Sequence, residues 1–202
     1  MLEKKIESLA IEFLEQGVDL AIGIPGSGPV LNFLSYYVKH GGTFWLCRHE
    51  ASAPIIAGTI GKREHKPLIS LCANGTARTN LLSGITHCWF EKLPVIALWD
   101  CYGYSVPKHQ KLQRLPEHDF SPFYNMLLSG FCEHDESIGK QLVQASLKPD
   151  YGPVALNLRM SKNPLHEFKD RGISNSDKVV DFKVGRKSER PIIIFGSAVT
   201  RG

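Results

Sequence analysis

The sequence contains no run of about 18 apolar residues, the length an α-helix needs to cross a bilayer, so no segment reads as membrane-spanning. Met1-Leu2-Glu3-Lys4-Lys5 opens on charge instead of an apolar stretch, which excludes a signal peptide and points to a cytoplasmic protein with no membrane partner. The five cysteines (Cys47, Cys72, Cys88, Cys101, Cys132) are odd in number and form no Cys-x-x-Cys pair. That pattern predicts free thiols in a reducing compartment, and neither disulfides nor a zinc site. Lys and Arg total 24 against 20 Asp and Glu, but no basic block is dense enough for a nucleic-acid stripe. Also missing are the Gly-Lys-Ser/Thr of a phosphate loop, the Gly-x-Ser-x-Gly elbow of a hydrolase and a helical His pair for metal.

What is present is ordinary in bulk and informative in order. The 202 residues are 43% hydrophobic and 22% charged, enough to bury a real core. Leu2, Ile6, Leu9, Ala10, Phe13 and Leu14 recur at helical spacing, and Gly17 stops the helix. Val18 to Ile24 reads as a buried strand, Pro29 to Lys39 as a helix, Thr43 to Cys47 as a strand and Glu50 to Lys62 as a small-residue helix. Leu68 to Cys72, a helix from Thr79 to Glu91 and a strand from Pro94 to Trp99 continue the alternation. A polar loop spans Asp100 to Asp119; a short helix is expected over Phe120 to Leu128, an edge strand over Phe131 to His134, a helix over Asp135 to Leu147 and a closing strand over Val154 to Leu158. Continuous apolar strands alternating with helices predict an α/β fold of three layers, with a parallel sheet covered on both faces. The expected domain occupies residues 1–160, a charged linker residues 161–190, and Arg190-Pro191-Ile192-Ile193 opens a second, truncated domain over residues 191–202.

Four fragments carry possible chemistry. Gly23-Ile24-Pro25-Gly26-Ser27-Gly28 lies at a strand-to-helix turn, where backbone N–H groups can take an anion. It reads equally as a plain tight turn, and a dinucleotide fingerprint would need a third glycine where Leu31 stands. Arg48-His49-Glu50 ends the second strand; on its own, Glu50 reads more readily as a helix cap than as a catalyst, and His49 as a structural histidine. Asn74-Gly75-Thr76-Ala77-Arg78-Thr79-Asn80 is a further turn after a strand, in which Thr79 or Asn80 can cap the next helix. Glu117-His118-Asp119 and Glu133-His134-Asp135 place acids beside histidines, but neighbours along a chain do not easily converge on one ion.

Taken in order, Gly23-Ile24-Pro25-Gly26, then Arg48-His49-Glu50-Ala51, then the run from Asn74 through Leu82-Ser83-Gly84-Ile85, then Leu93-Pro94-Val95-Ile96-Ala97 resembles the N-terminal, pyrimidine-binding domain of thiamine-diphosphate enzymes, nearest the acetolactate synthase and 2-oxo-acid decarboxylase group. Gly152-Pro153-Val154-Ala155-Leu156 resembles that domain's last strand, and Arg190-Pro191-Ile192-Ile193 the start of the family's central domain. The resemblance implies that Glu50 matches the family's catalytic glutamate, hydrogen-bonding N1′ of the cofactor pyrimidine so that a proton leaves the thiazolium C2 and the resulting carbanion attacks a 2-oxo acid. It implies that Pro25 and Gly26 line the pyrimidine site, that Thr76 and Asn80 contact the same ring, and that Gln113 falls near the reacting centre. It further implies thiamine diphosphate as cofactor, Mg²⁺ held by a domain outside this chain, and a homodimer or homotetramer in which a partner chain supplies the diphosphate-binding domain. No Gly-Asp-Gly occurs here, so this chain alone is expected to be inactive. Asn74-Gly75-Thr76-Ala77 stands where the family has Ser-Gly-Pro-Gly, Arg78 where a small residue is usual, and Trp99-Asp100-Cys101 where a Gly-containing turn is usual. Substrate, acceptor and any FAD stay open. A non-catalytic assembly or regulatory domain, and a dinucleotide-binding module at Gly23 to Gly28, are the alternative readings.

Overall fold

Apolar residues three and four apart place Ile6, Leu9, Ala10 and Phe13 on one buried face of the first helix, α1 (Leu2–Glu15). The computed structural model describes residues 2–26, 28–101, 124, 126–129, 138–148 and 150–159, all within the unit Met1–Leu165. After α1 come β1 (Leu20–Ile24), α2 (Pro29–Lys39), β2 (Thr43–Leu46), α3 (Ser52–Glu64), β3 (Leu68–Cys72), α4 (Thr76–Phe90), β4 (Val95–Cys101), β5 (Met126–Ser129), α5 (Ile138–Leu147) and β6 (Pro153–Arg159). Among the described residues no helix is long and apolar enough to cross a membrane.

The six strands form one parallel sheet in the order β2-β1-β3-β4-β6-β5. Side chains along each strand alternate between faces. Ile69, Leu71, Ile96, Leu98, Val154 and Leu156 join a core with α1, α2 and α5. Leu68, Cys72, Val95, Ala97, Trp99 and Ala155 join a second core with α3 and α4. The result is the three-layer α/β fold expected from the continuous apolar strands. From β1 the chain crosses to β2 through α2 on one face, then returns past β1 to β3 through α3 on the other. The direction of winding reverses there, and in such sheets ligands bind in the crevice outside the carboxyl ends of the strands at that reversal.

The structure corrects several sequence-based boundaries. Met126–Ser129 is strand β5, paired with β6, where a helix over Phe120 to Leu128 was expected. A short apolar run such as Met126-Leu127-Leu128 has too little length for its period to separate strand from helix, and sheet pairing decides. The strand expected to close the sheet, Val154 to Leu158, does not lie at its edge: β6 sits between β4 and β5. The edge strand expected over Phe131 to His134, the loop residues 102–123 and the expected linker and second domain lie outside the described residues, as does Cys132. Helix α4 starts at Thr76, three residues before the expected Thr79, and α3 starts at Ser52, after Glu50. The four described cysteines, Cys47, Cys72, Cys88 and Cys101, form no disulfide with one another.

Packing of α1 against α2 is aromatic: Phe13 meets Phe33 edge-on at 6.0 Å, and Phe33 stacks on Tyr37 at 5.5 Å. The buried Tyr37 hydroxyl donates to the Val18 carbonyl at 2.8 Å, and burial pushes its phenol well above the usual range. Tyr37→Phe strands that carbonyl. It is expected to cost about 1–3 kcal/mol in chemical denaturation; an unchanged urea midpoint would show that the bond contributes nothing net. Two helix N-termini are satisfied from a distance: the Glu12 carboxylate of α1 accepts from the Gly139 and Lys140 amides of α5, and the Asp100 carboxylate of β4 accepts from the Val30 amide of α2.

Candidate functional site

The carboxyl ends of β1, β2, β3 and β4 bring together most of the residues singled out in the sequence. After β1, Pro25 and Gly26 are partly exposed. A Cβ on Gly26 would stand 2.7 Å from the Ala73 Cβ and 3.0 Å from Asp100 Oδ2; a Cβ on Gly28 would stand 2.8 Å from the same carboxyl. Glycine is required at both positions because the turn closes onto Ala73 and Asp100. The N-cap of α2, Gly28, has no side-chain cap; Asp100 replaces it, with Oδ1 accepting the Val30 amide at 2.8 Å. The Val30 amide, one of those at the head of α2 that a bound anion could use, is therefore already engaged by a carboxylate.

Glu50 sits in the turn between β2 and α3, one residue before the N-cap Ala51, and α3 has no side-chain cap. The cap reading of Glu50 therefore fails, and so does its expected place in the first helical turn. Its Oε2 instead accepts from Asn80 Nδ2 of α4 at 3.1 Å, and it is half-buried. This contact depends on how closely the two helices approach. A Cβ on Gly84, one turn beyond Asn80, would overlap the Ala51 carbonyl and press on Pro54 at 2.5 Å. A further turn along, the Cys88 thiol donates to the Pro54 carbonyl at 3.2 Å. Asn80, Gly84 and Cys88, four residues apart, thus form the face of α4 that receives the start of α3. His49 is exposed, and its Nδ1 accepts the Ala51 amide at 3.2 Å.

Helix α4 opens at Thr76, with N-cap Gly75 and no side-chain cap, so neither Thr79 nor Asn80 caps it. The Thr79 hydroxyl donates to the Thr76 carbonyl at 2.8 Å, and Asn74 Oδ1 accepts the Gly75 amide at 2.8 Å. Thr76 is exposed at the head of the helix, four residues before Asn80. Arg78 turns to the sheet: its guanidinium lies 4.8 Å from the centre of the buried Trp99 ring, which also meets Tyr124 at 5.8 Å. Burial pulls the Arg78 pKa down from its usual value and pushes those of Tyr124 and Cys72 up. After burial itself, Glu50 and then Asp100 contribute to the Cys72 shift, so both carboxylates act on the end of β3. Gln113 lies outside the described residues.

The arrangement offers a half-exposed carboxylate, oriented by an amide, at the ligand-binding edge of a parallel sheet. Such a group can hold a hydrogen bond to a ring nitrogen and share a proton with it. Two contributors escaped sequence reading. In the sequence Asp100 stands out only as a departure from the family pattern, because its contact with α2 spans 70 residues. Gly84 was legible only as part of a run; its spacing of four from Asn80 was the available signal.

Residues 4–120 match the family described as thiamine pyrophosphate enzyme, N-terminal TPP binding domain. Over 83 residues, 41% of the chain, the sequence is 29% identical to the acetolactate synthase isozyme 2 large subunit of Escherichia coli (strain K12), covering 15% of that protein. Over 85 residues, 42% of the chain, it is 34% identical to the acetolactate synthase of Bacillus subtilis (strain 168), again covering 15%. The longer similarity, 26% over 179 residues and 84% of the chain, is to the 2-succinyl-5-enolpyruvyl-6-hydroxy-3-cyclohexene-1-carboxylate synthase of Staphylococcus epidermidis (strain ATCC 12228 / FDA PCI 1200), of which it covers 32%. The chain therefore spans at most about a third of these relatives. With more than half of its residues matched to the family, and with the parallel α/β fold described above, this chain belongs to the thiamine pyrophosphate enzymes, as their N-terminal TPP-binding domain.

Proposed function

We propose that this domain holds the aminopyrimidine end of thiamine diphosphate against the carboxyl edge of its sheet, with Glu50 as the activating carboxylate. The observation that carries the reading is the Glu50–Asn80 contact: a carboxylate outside any cap, turned by an amide of the neighbouring helix, beside the reversal of the sheet. The donor set suits the group. A carboxylate shares a proton with a ring nitrogen, Pro25 and Gly26 offer a wall of small partly exposed residues, and Thr76 heads the helix that carries Asn80. When bound, thiamine diphosphate supplies the acidic carbon and the electron sink that 2-oxo acid chemistry requires. Glu50 holds the proton at the pyrimidine, and Asn80 fixes the carboxylate. Gln113 is proposed to lie near the reacting centre.

The rest of the reaction is assigned to other domains. The diphosphate and its Mg²⁺ are proposed to sit on a domain beyond these residues, supplied by a partner chain in a homodimer or homotetramer. Exposed apolar side chains, Leu46 at 72% and Phe90 at 67%, favour a covering partner. The proposed activity of the whole protein is decarboxylation or carboligation of a 2-oxo acid, as in an acetolactate synthase. The longer similarity to a cyclohexene-carboxylate synthase favours a second carboligation of the same cofactor class. Calorimetric titration of the full-length protein with thiamine diphosphate and Mg²⁺ is expected to show saturable binding, and a panel of 2-oxo acids to release carbon dioxide. Binding without turnover would favour a non-catalytic assembly or regulatory domain. No binding would sink the proposal.

A further inference from the structure

The contact between β4 and α2 does more than close a helix. We propose that Asp100 is a positioning residue for the cofactor, holding Pro25 and Gly26 in place through the head of α2; this rests on the aminopyrimidine reading of that turn. Pro25 and Gly26 are the link between β1 and the start of α2, and their position is set at one end by the sheet. At the other end the Asp100 carboxylate grips α2 through the Val30 amide, at 2.8 Å, and through the Gly28 amide. The fit against β4 and Ala73 is close, because a Cβ at Gly26 or Gly28 would collide with the carboxylate or with Ala73. A shift of this turn therefore has to break a charge-assisted hydrogen bond or displace β4.

The charge itself is the second observation. Asp100 is 5% exposed and is the one buried carboxylate among the described residues. Burial pushes its pKa up to about 6 from an ordinary 3.8, and the two backbone donors oppose that rise. The folded state thus binds the proton more tightly than the unfolded chain. The cost of the ionised form to stability is fully present above pH about 6 and disappears as the pH falls toward 3.8. Asparagine caps a helix as well as aspartate does and carries no such cost. A buried charge kept at the ligand edge, where a neutral residue would serve the helix, points to function. Among the described residues, few ionisable groups lie near it. Cys72 lies on β3, and α2 has no acid in its first turn. The one charged residue of α5, Lys140, is exposed, and those of α3, Lys62, Arg63 and Glu64, fall in its last turn.

The test uses the full-length protein and two readouts: amide hydrogen exchange at Val30, and the thiamine diphosphate KM against kcat at several pH values. Asp100→Ala is expected to speed Val30 exchange about ten-fold or more and to raise the cofactor KM by a similar factor, with kcat at saturation within about two-fold. Asp100→Asn should recover most of both. The wild-type KM should rise modestly toward that of Asp100→Asn as the pH falls through about 6, because the protonated acid, like the amide, offers one acceptor and one donor, and that break should be absent in Asp100→Asn. Gly28→Ala, which pushes a methyl into the carboxylate, should reproduce the KM effect even where Asp100→Ala fails to fold. Unchanged Val30 exchange in Asp100→Ala overturns the proposal, as does a loss of kcat at constant KM or a pH break that persists in Asp100→Asn. If the wild-type protein binds no thiamine diphosphate, the aminopyrimidine reading falls, while the exchange readout still decides whether Asp100 holds the turn.

Discussion

Glu50→Gln in the full-length protein is expected to lower carbon dioxide release from 2-oxo acids by about 10²–10⁴-fold, the range a positioned acid–base group contributes. The substitution keeps the volume of the side chain and an oxygen able to accept from Asn80, so the α3–α4 contact should survive. It removes the ability to share a proton with a ring nitrogen. Because Glu50 is half-buried and caps no helix, stability should stay within about 0.5 kcal/mol of wild type. The effect should therefore fall on kcat, with cofactor affinity changed much less. Asn80→Ala removes the orienting amide without removing the carboxylate, so its loss should be the smaller of the two. Steady-state turnover beside a thermal melt separates these outcomes. Equal turnover by wild type and Glu50→Gln would remove Glu50 from the chemistry and return it to a structural role.

The largest effect on stability is expected from Trp99→Ala, about 3–5 kcal/mol, the cost of emptying a large aromatic site in a packed core. Trp99 is fully buried on β4, in the core shared with α3 and α4. It meets Tyr124 on one side and carries the Arg78 guanidinium at 4.8 Å. That second contact adds about 0.5–2 kcal/mol in a desolvated setting and ties the first turn of α4 to the sheet. Trp99→Phe keeps an aromatic face and discards a buried indole N–H that has no hydrogen-bond partner among the described residues, so it should cost much less than Ala. Urea denaturation followed by circular dichroism reads the difference. At slopes of about 1–3 kcal/mol/M, the Ala variant should lose more than about 1 M in midpoint. A midpoint within about 0.3 M of wild type would mean that the pocket collapses around the missing ring and that Trp99 does not organise α4.

The sequence by itself determined the layers, the apolar strands and the family. Continuous apolar runs such as Leu68 to Cys72 and Val95 to Trp99 leave a parallel strand no exposed face, so helices must cover both sides. The ordered turns around Pro25, Glu50 and Thr76 were legible because each ends a strand, and the ends of parallel strands share one edge. Where local signals were short or divided between elements, sequence was not enough. Met126-Leu127-Leu128 became a strand because β6 was there to pair with it, and no period in so few residues records that partner. Glu50 looked like a cap because caps are local, and its actual partner, Asn80, lies 30 residues away on another helix. Asp100 looked like a substitution in a loop, yet it closes a helix 70 residues upstream. Spacing along a chain encodes which face a residue takes. Only tertiary packing decides which distant group that face meets, and at this edge of the sheet it sets Glu50 against Asn80 and Asp100 beneath the turn at Gly26 and Gly28.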